Sequence, residues 1–193
     1  VIDEGTNEAL LIDAPPGLTG MIARDLEHVD KLRCIVNTHG HFDHIGDDVF
    51  LKKIVESPIA CHWNDEGMLM NPRKYTPLEF AHMVYPLTAD IYLEDRKKLR
   101  CGRNTFVIIH TPGHTAGSIC LYEKNEKKLF SGDTLFAGTH GRTDLGGNAE
   151  QMAESLKKLA LLPPEAVVYP GHGKETTIGQ ETWLRELTGA QAV

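Results

Sequence analysis

Thr38-His39-Gly40-His41-Phe42-Asp43-His44-Ile45-Gly46-Asp47 follows directly on the apolar run Leu32 to Asn37. A run of that length bounded by polar residues reads as a buried strand, which puts the ten residues after it in a strand-end loop. Within them lies H-x-H-x-D-H, at His39, His41, Asp43 and His44. In extended backbone, residues two apart point the same way. His39 and His41 can therefore grip one ion while Asp43 and His44 turn toward another. With ten histidines and twelve aspartates among 193 residues, chance places this pattern in roughly one chain in 10³. A loop of ordinary surface polar residues is the weaker reading.

Three more residues repeat the setting. His114 in Thr111-Pro112-Gly113-His114-Thr115, Asp133 in Ser131-Gly132-Asp133-Thr134 and His172 in Pro170-Gly171-His172-Gly173 each follow an expected strand and sit next to a glycine. Loops held at strand ends are where rigid scaffolds carry chemistry, and a neighbouring glycine lets backbone approach an ion closely. The ensemble is five histidines and two aspartates. That is enough for two sites of three ligands with one carboxylate shared. Coordination positions are left open, as a catalytic metal centre needs.

The rest of the chain limits the alternatives. A composition of 41% hydrophobic and 24% charged residues is globular, and 193 residues favour one domain spanning 1–193. A formal charge of −7 argues against nucleic acid as a partner. No apolar run approaches the length of a membrane-spanning helix, so no membrane role is expected. Val1-Ile2-Asp3-Glu4 has no basic region before an apolar stretch and does not read as a signal peptide. Cys34, Cys61, Cys101 and Cys120 are spread without a C-x-x-C pair. Reduced thiols in the cytoplasm are expected, with Cys34 and Cys120 in the core.

Strands are expected at Leu10 to Asp13, Leu32 to Asn37, Ile59 to His62, Thr105 to His110, Ser118 to Tyr122, Lys128 to Ser131 and Ala166 to Tyr169. Helical spacing marks Leu18 to His28, Asp47 to Val55, a helix capped by Asn148 that runs to Leu162, and a closing helix through Trp183, Leu184 and Leu187. From Asn64 to Arg100 periodicity fails. That stretch reads as short helices and loop, with Met68, Leu69, Met70, Tyr75, Phe80, Met83 and Tyr85 as core filling first and the lining of a substrate entrance as the alternative. The strands fall into an early and a late group, each followed by helix, which suits two sheets with helices outside.

The chain resembles the metallo-β-lactamase superfamily and, within it, the short hydroxyacylglutathione hydrolase (glyoxalase II) branch. The resemblance rests on THGHFDHIGD from Thr38, TPGHTAGSICLY from Thr111, FSGDTLFAGTHGRTDLGG from Phe130 and YPGHGKETTIGQE from Tyr169. It implies an α/β fold, a four-layer α/β/β/α sandwich with metals at one edge of the two sheets. It also implies a set of ligands: His39, His41 and His114 for a first metal, Asp43, His44 and His172 for a second, and Asp133 between them. Two divalent ions are implied, zinc first, with iron and manganese as alternatives. Arg142 stands where the family carries a basic substrate contact. Lys174 stands where a tyrosine is common. His140 replaces a usual cysteine. The chain is expected to lack the branch's first strand and its C-terminal helical domain.

The chemistry so implied is thioester hydrolysis. Cations sharing Asp133 would activate a bridging water, with Asp43 and Asp133 as catalytic carboxylates and Asp43 orienting the nucleophile. No general acid stands out, which favours a thiolate leaving group over an amine because thiol pKa values lie near 8.5. The partner is a small-molecule thioester, held by Arg142 and Lys174 at a carboxylate; the oligomeric state is left open. Three alternatives stand: a mononuclear-iron persulfide dioxygenase on His39, His114 and Asp133, another ester or lactone hydrolase, and a metal-binding module without activity.

Overall fold

Side chains alternate in and out along the central strands, and that alternation sets the layers. The computed structural model describes residues 1–187; residues 188–193 of the expected single domain lie outside the described residues. A five-stranded sheet runs in the order β1 (Ile2–Asp3), β2 (Glu8–Ile12), β3 (Lys31–Val36), β4 (Ile59–Cys61), β5 (Ile91–Tyr92). Strands β2 to β5 are parallel, and β1 is antiparallel to β2. The chain continues through β6 (Lys98–Cys101), β7 (Asn104–His110), β8 (Ile119–Glu123) and β9 (Lys128–Gly132), then a ribbon of β10 (Leu135–Phe136) and β11 (Thr139–His140). β12 (Val167–Pro170) and β13 (Thr176–Thr177) complete a six-stranded sheet, ordered β13-β12-β9-β8-β7-β6. In it only β9 and β12 run parallel.

Leu10, Cys34, Val36 and Ala60 of the first sheet meet Phe106, Ile108, Ile119 and Leu121 of the second. One residue along, Ile35, Ile59 and Cys61 face outward. They pack with Leu18, Ile22 and Leu26 of α1 (Leu18–Leu26), with Ile45 of α2 (Phe42–Ile45), with Leu51 of α3 (Asp48–Val55) and with Leu69 of α4 (Glu66–Met70). On the far side, Cys120, Tyr122 and Leu129 pack against Met152, Leu156 and Leu159 of α5 (Ala149–Ala160) and Leu184 of α6 (Trp183–Leu187). The result is four layers, α/β/β/α, as expected. Asn148 caps α5 by accepting from Gln151 N at 2.9 Å. Among the described residues no helix is long and apolar enough to cross a membrane.

Three expectations need correction. The helix expected from Asp47 is α3, but a short helix, α2, stands ahead of it where only loop was expected, and the Asp47 carboxylate serves α1, accepting from Gly17 N (3.0 Å) and Thr19 N (2.7 Å). Between Asn64 and Arg100 the 3₁₀ turns and α4 are joined by β5 and β6. Both strands escape pattern reading, because Ile91–Tyr92 is two residues long and Lys98–Cys101 alternates charge with apolar residues. Core filling holds there only in part. Met68 and Leu69 are buried, but Met70, Tyr75, Phe80 and Tyr85 are exposed, because short 3₁₀ turns present no continuous apolar stripe to a sheet.

Candidate metal centre

The loops that carry the seven side chains are tied at one edge of the two sheets. Ile119 N donates to Thr38 O (2.9 Å), fastening the loop after β3 to the start of β8. Gly171 N donates to Gly132 O (2.8 Å), which carries the parallel β9–β12 pairing one step past the strands and brings Asp133 beside His172. Glycine is required at two of these turns. At Gly113 (φ +146) a Cβ would lie 2.5 Å from the Met152 backbone, so the His114 loop could not rest on α5. At Gly171 it would lie 2.4 Å from Asp133 Oδ1 and 2.7 Å from His44 Cε1.

All seven residues singled out from the sequence converge. His114 Nε2 lies 2.8 Å from His41 Nδ1 and 3.2 Å from His39 Nε2. His172 Nε2 lies 3.1 Å from Asp43 Oδ2 and 3.3 Å from His44 Nε2. Asp133 touches both groups: Oδ2 is 3.5 Å from His114 Nε2 and 3.6 Å from His172 Nε2, and Oδ1 is 3.3 Å from His44 Nε2. The ligand atoms of His39, His41 and His114, of His39, His44 and Asp133, and of Asp43, His44 and His172 lie within 4.8 Å of one another in each group.

A second ring of residues fixes which nitrogens are bare. His114 Nδ1 donates to Arg142 O at 2.7 Å, leaving Nε2 with its lone pair. His44 Nδ1 faces Asp13 Oδ2 at 2.8 Å, so its Nε2 also points inward. Asp13 accepts from Thr38 N (2.7 Å) and Thr38 Oγ1 (2.8 Å) as well. That uses the one hydroxyl proton of Thr38, and His39 Nδ1 therefore donates to Thr38 Oγ1 (3.1 Å). Asp65, buried, accepts from Gly40 N (3.0 Å), Thr115 Oγ1 (2.7 Å) and Gly117 N (2.7 Å). It thus ties the His39–His41 loop to the His114 loop. Sequence reasoning missed Asp13, Thr38 and Asp65. The signal for both aspartates was the same strand-end position that exposed the histidines, since Asp13 follows β2 and Asp65 follows β4.

The donor set fits bound cations. The lone pairs of His39 Nε2 and His114 Nε2 face each other, and Asp133 Oδ1 is buried without a hydrogen-bond partner. Burial, then the neighbouring imidazoles, hold His39 well below its ordinary value, and burial with His114 beside it lowers His41 to about 4. Both are therefore neutral at physiological pH, the form that can ligate a cation. Burial would lower His44 too, but the Asp13 carboxylate, with Asp133 behind it, pushes it up to about 10. The field at that position calls for positive charge. Five imidazoles and two carboxylates suit zinc, iron or manganese.

A cavity of 450 Å³ opens on this cluster, lined by His41, Asp43, Asp133 and His172 and also by Tyr75, Phe136, Arg142 and Leu145. Tyr75, read first as core and second as the lining of an entrance, is part of its wall. Arg142 Nε and Nη2 each lie 2.6 Å from an Asp144 carboxylate oxygen, so its guanidinium is held at the rim by a bidentate pair. Lys174 is exposed and is not among the residues lining the cavity. His140 is exposed, its Nδ1 2.8 Å from Gly141 O.

The family model described as the metallo-beta-lactamase superfamily matches residues 1–172. A hydroxyacylglutathione hydrolase, GloC, from Haemophilus influenzae is 33% identical over 190 residues, covering 94% of this chain and 87% of that one. Among solved structures, the BLEG-1 B3 metallo-beta-lactamase superposes with a TM-score of 0.84 at 34% identity, covering 94% of this chain and 88% of that one. The di-iron-bound TTHA1623 gives 0.70 at 34% identity, with 89% and 85% covered. ETHE1 from Myxococcus xanthus gives 0.77 at 28% identity, with 94% and 74% covered. With its four layers, its strand-end cluster of five histidines and two aspartates and these matches, the chain belongs to the metallo-β-lactamase superfamily.

Proposed function

We propose that this chain is a metal-dependent hydrolase of glutathione-type thioesters, working as a hydroxyacylglutathione hydrolase does. One observation carries the reading: both ligand groups are complete, with Asp133 in contact with each. The identity to the Haemophilus hydrolase supports it. Two divalent ions bound here, zinc foremost and iron or manganese as alternatives, supply Lewis acidity and draw the pKa of a water toward neutrality.

The chain's own residues do the rest. Asp43, half-exposed at the cavity, orients the attacking water as well as binding. The 450 Å³ cavity admits the substrate, with Arg142 at its rim to meet a carboxylate; Lys174, outside the lining, offers at most a second, more distant contact. Water adds at the carbonyl carbon and the C–S bond breaks, giving a carboxylate, a thiol and one proton. Among the described residues no lysine lines the cavity as a general acid, and a thiolate leaves without one far more readily than an amine does.

A second reading is a mononuclear-iron persulfide dioxygenase. What favours it is the contrast in burial: His39, His114 and Asp133 are buried, whereas the His172 side chain is 52% exposed and that of Asp43 35%. An oxygen electrode separates the two. The hydrolase reading expects S-lactoylglutathione turnover without oxygen and no oxygen uptake with glutathione persulfide. Stoichiometric uptake by protein with about one iron per chain would replace it with the dioxygenase.

A further inference from the structure

A second cavity reaches the same centre from another side. It measures 480 Å³ and is lined by Asp43, His44, Gly171 and His172, then by Leu11, Ile12, Pro15 and Leu18. Asp43 and His172 line this space and the Arg142 cavity alike, so the two lobes adjoin at that pair.

The lobes differ in chemistry. The first carries the Arg142 guanidinium and the rings of Tyr75 and Phe136. Among the described residues the second has no lysine or arginine in its lining, and its carboxylates are engaged: Asp13 with His44 and Thr38, Asp43 with His172. What remains is aliphatic. Such a space gains nothing from a charged group and gains from each methylene it removes from water. At 480 Å³ it falls within the range of ligand-binding pockets, far more room than a two- or three-carbon acyl group needs.

A thioester sends two arms from its carbonyl carbon, one through sulfur and one through the acyl chain. With the carbonyl over Asp43 and His172, one arm enters each lobe. We propose that the Leu11–Ile12–Pro15–Leu18 lobe is an acyl-chain subsite, and that this chain prefers thioesters of extended, uncharged, apolar acyl groups. The inference rests on the thioester-hydrolase reading and specifies its substrate class.

The test is a series of acetyl-, butanoyl-, hexanoyl- and octanoyl-S-glutathione with the metal-loaded enzyme. Each methylene buried is worth about fourfold, so kcat/KM should rise at least 100-fold from acetyl to octanoyl before the lobe fills. Leu18→Trp, which occupies the lobe, should cut the octanoyl-to-acetyl ratio of kcat/KM at least tenfold. Calorimetric binding of the inert thioethers S-octylglutathione and S-methylglutathione to the wild-type enzyme repeats the comparison without any variant, and the octyl compound should bind at least 100-fold tighter. A flat kcat/KM series, or equal binding of the two thioethers, overturns the subsite while leaving the hydrolase reading intact. If no thioester is cleaved but the octyl compound binds at least 100-fold tighter, the hydrolase reading fails and the apolar lobe stands.

Discussion

Asp65 touches none of the seven side chains directly, yet its replacement by alanine should be felt throughout the metal centre. The carboxylate accepts three hydrogen bonds, from Gly40 N, Gly117 N and Thr115 Oγ1. Thr115 can turn to Ser118 Oγ, 2.8 Å away, but the two backbone N–H groups cannot turn. A buried donor left without a partner costs about 1–3 kcal/mol, so two cost about 2–6. Burial, outweighing those hydrogen bonds, raises the Asp65 carboxyl above its ordinary value, and removing it relieves part of that strain. A net loss of about 2–5 kcal/mol remains, which for a chain of this size lowers Tm by roughly 5–20 °C. The melt should be run on chelator-treated protein, because bound metal would add stability by mass action and mask the difference. Metal content of the untreated variant should fall too, since the clamp joins the His39–His41 and His114 loops. Asp65→Asn should be intermediate, because its amide oxygen can serve Gly40 and Thr115 while its NH₂ confronts Gly117 N–H. An alanine variant that melts within a degree of wild type and keeps its full metal would refute the reasoning.

Asp133→Ala should release at least one metal per chain and abolish most activity, because Asp133 is in contact with both ligand groups; elemental analysis that still finds two metals with normal turnover sinks the bridging role. Arg142→Ala should raise KM and leave kcat nearly unchanged, the mark of lost uniform binding, whereas a collapse of kcat at unchanged metal content would place Arg142 in the chemistry. Asp48 gives a pH-dependent outcome. Burial pushes its carboxyl well above the usual range, the Asn37 amide at 2.6 Å offsetting only part, and its Oδ1 has no partner. With the folded pKa above the unfolded value of about 3.9, its contribution to stability is lost as pH climbs from about 4. Asp48→Asn should therefore stabilise at pH 7, by about 1–3 kcal/mol, and the gain should shrink toward pH 4. Urea unfolding at both pH values checks this, and a pH-independent difference contradicts it.

How far the sequence reached follows from the length scale of each signal. Strand runs such as Leu32 to Val36 and Ile119 to Tyr122 are long enough for burial on both faces to show as continuous apolar residues, and they were legible. The convergence of the seven side chains was legible because each is a metal-ligating residue type placed at a strand end. β5 and β10 were not, because two-residue strands carry no period. Core was the first reading for Tyr75 and a substrate entrance the second, since an aromatic residue reads alike whether it fills a core or walls a cavity. Asp13 and Asp65 act through hydrogen bonds to residues 25 to 52 positions away. Only the folded arrangement reveals such partners. The Arg142–Asp144 pair is local, two residues apart, but its side-chain geometry depends on the turn that carries it.

The most direct test of the account is to titrate divalent metal into chelated protein and follow metals bound per chain against the anaerobic rate of S-lactoylglutathione hydrolysis. The account predicts a rate that climbs until two ions are bound, because His39, His41 and His114, and Asp43, His44 and His172, each form a complete group meeting at Asp133. A rate that is maximal with one ion per chain, or no hydrolysis at any loading, would contradict it.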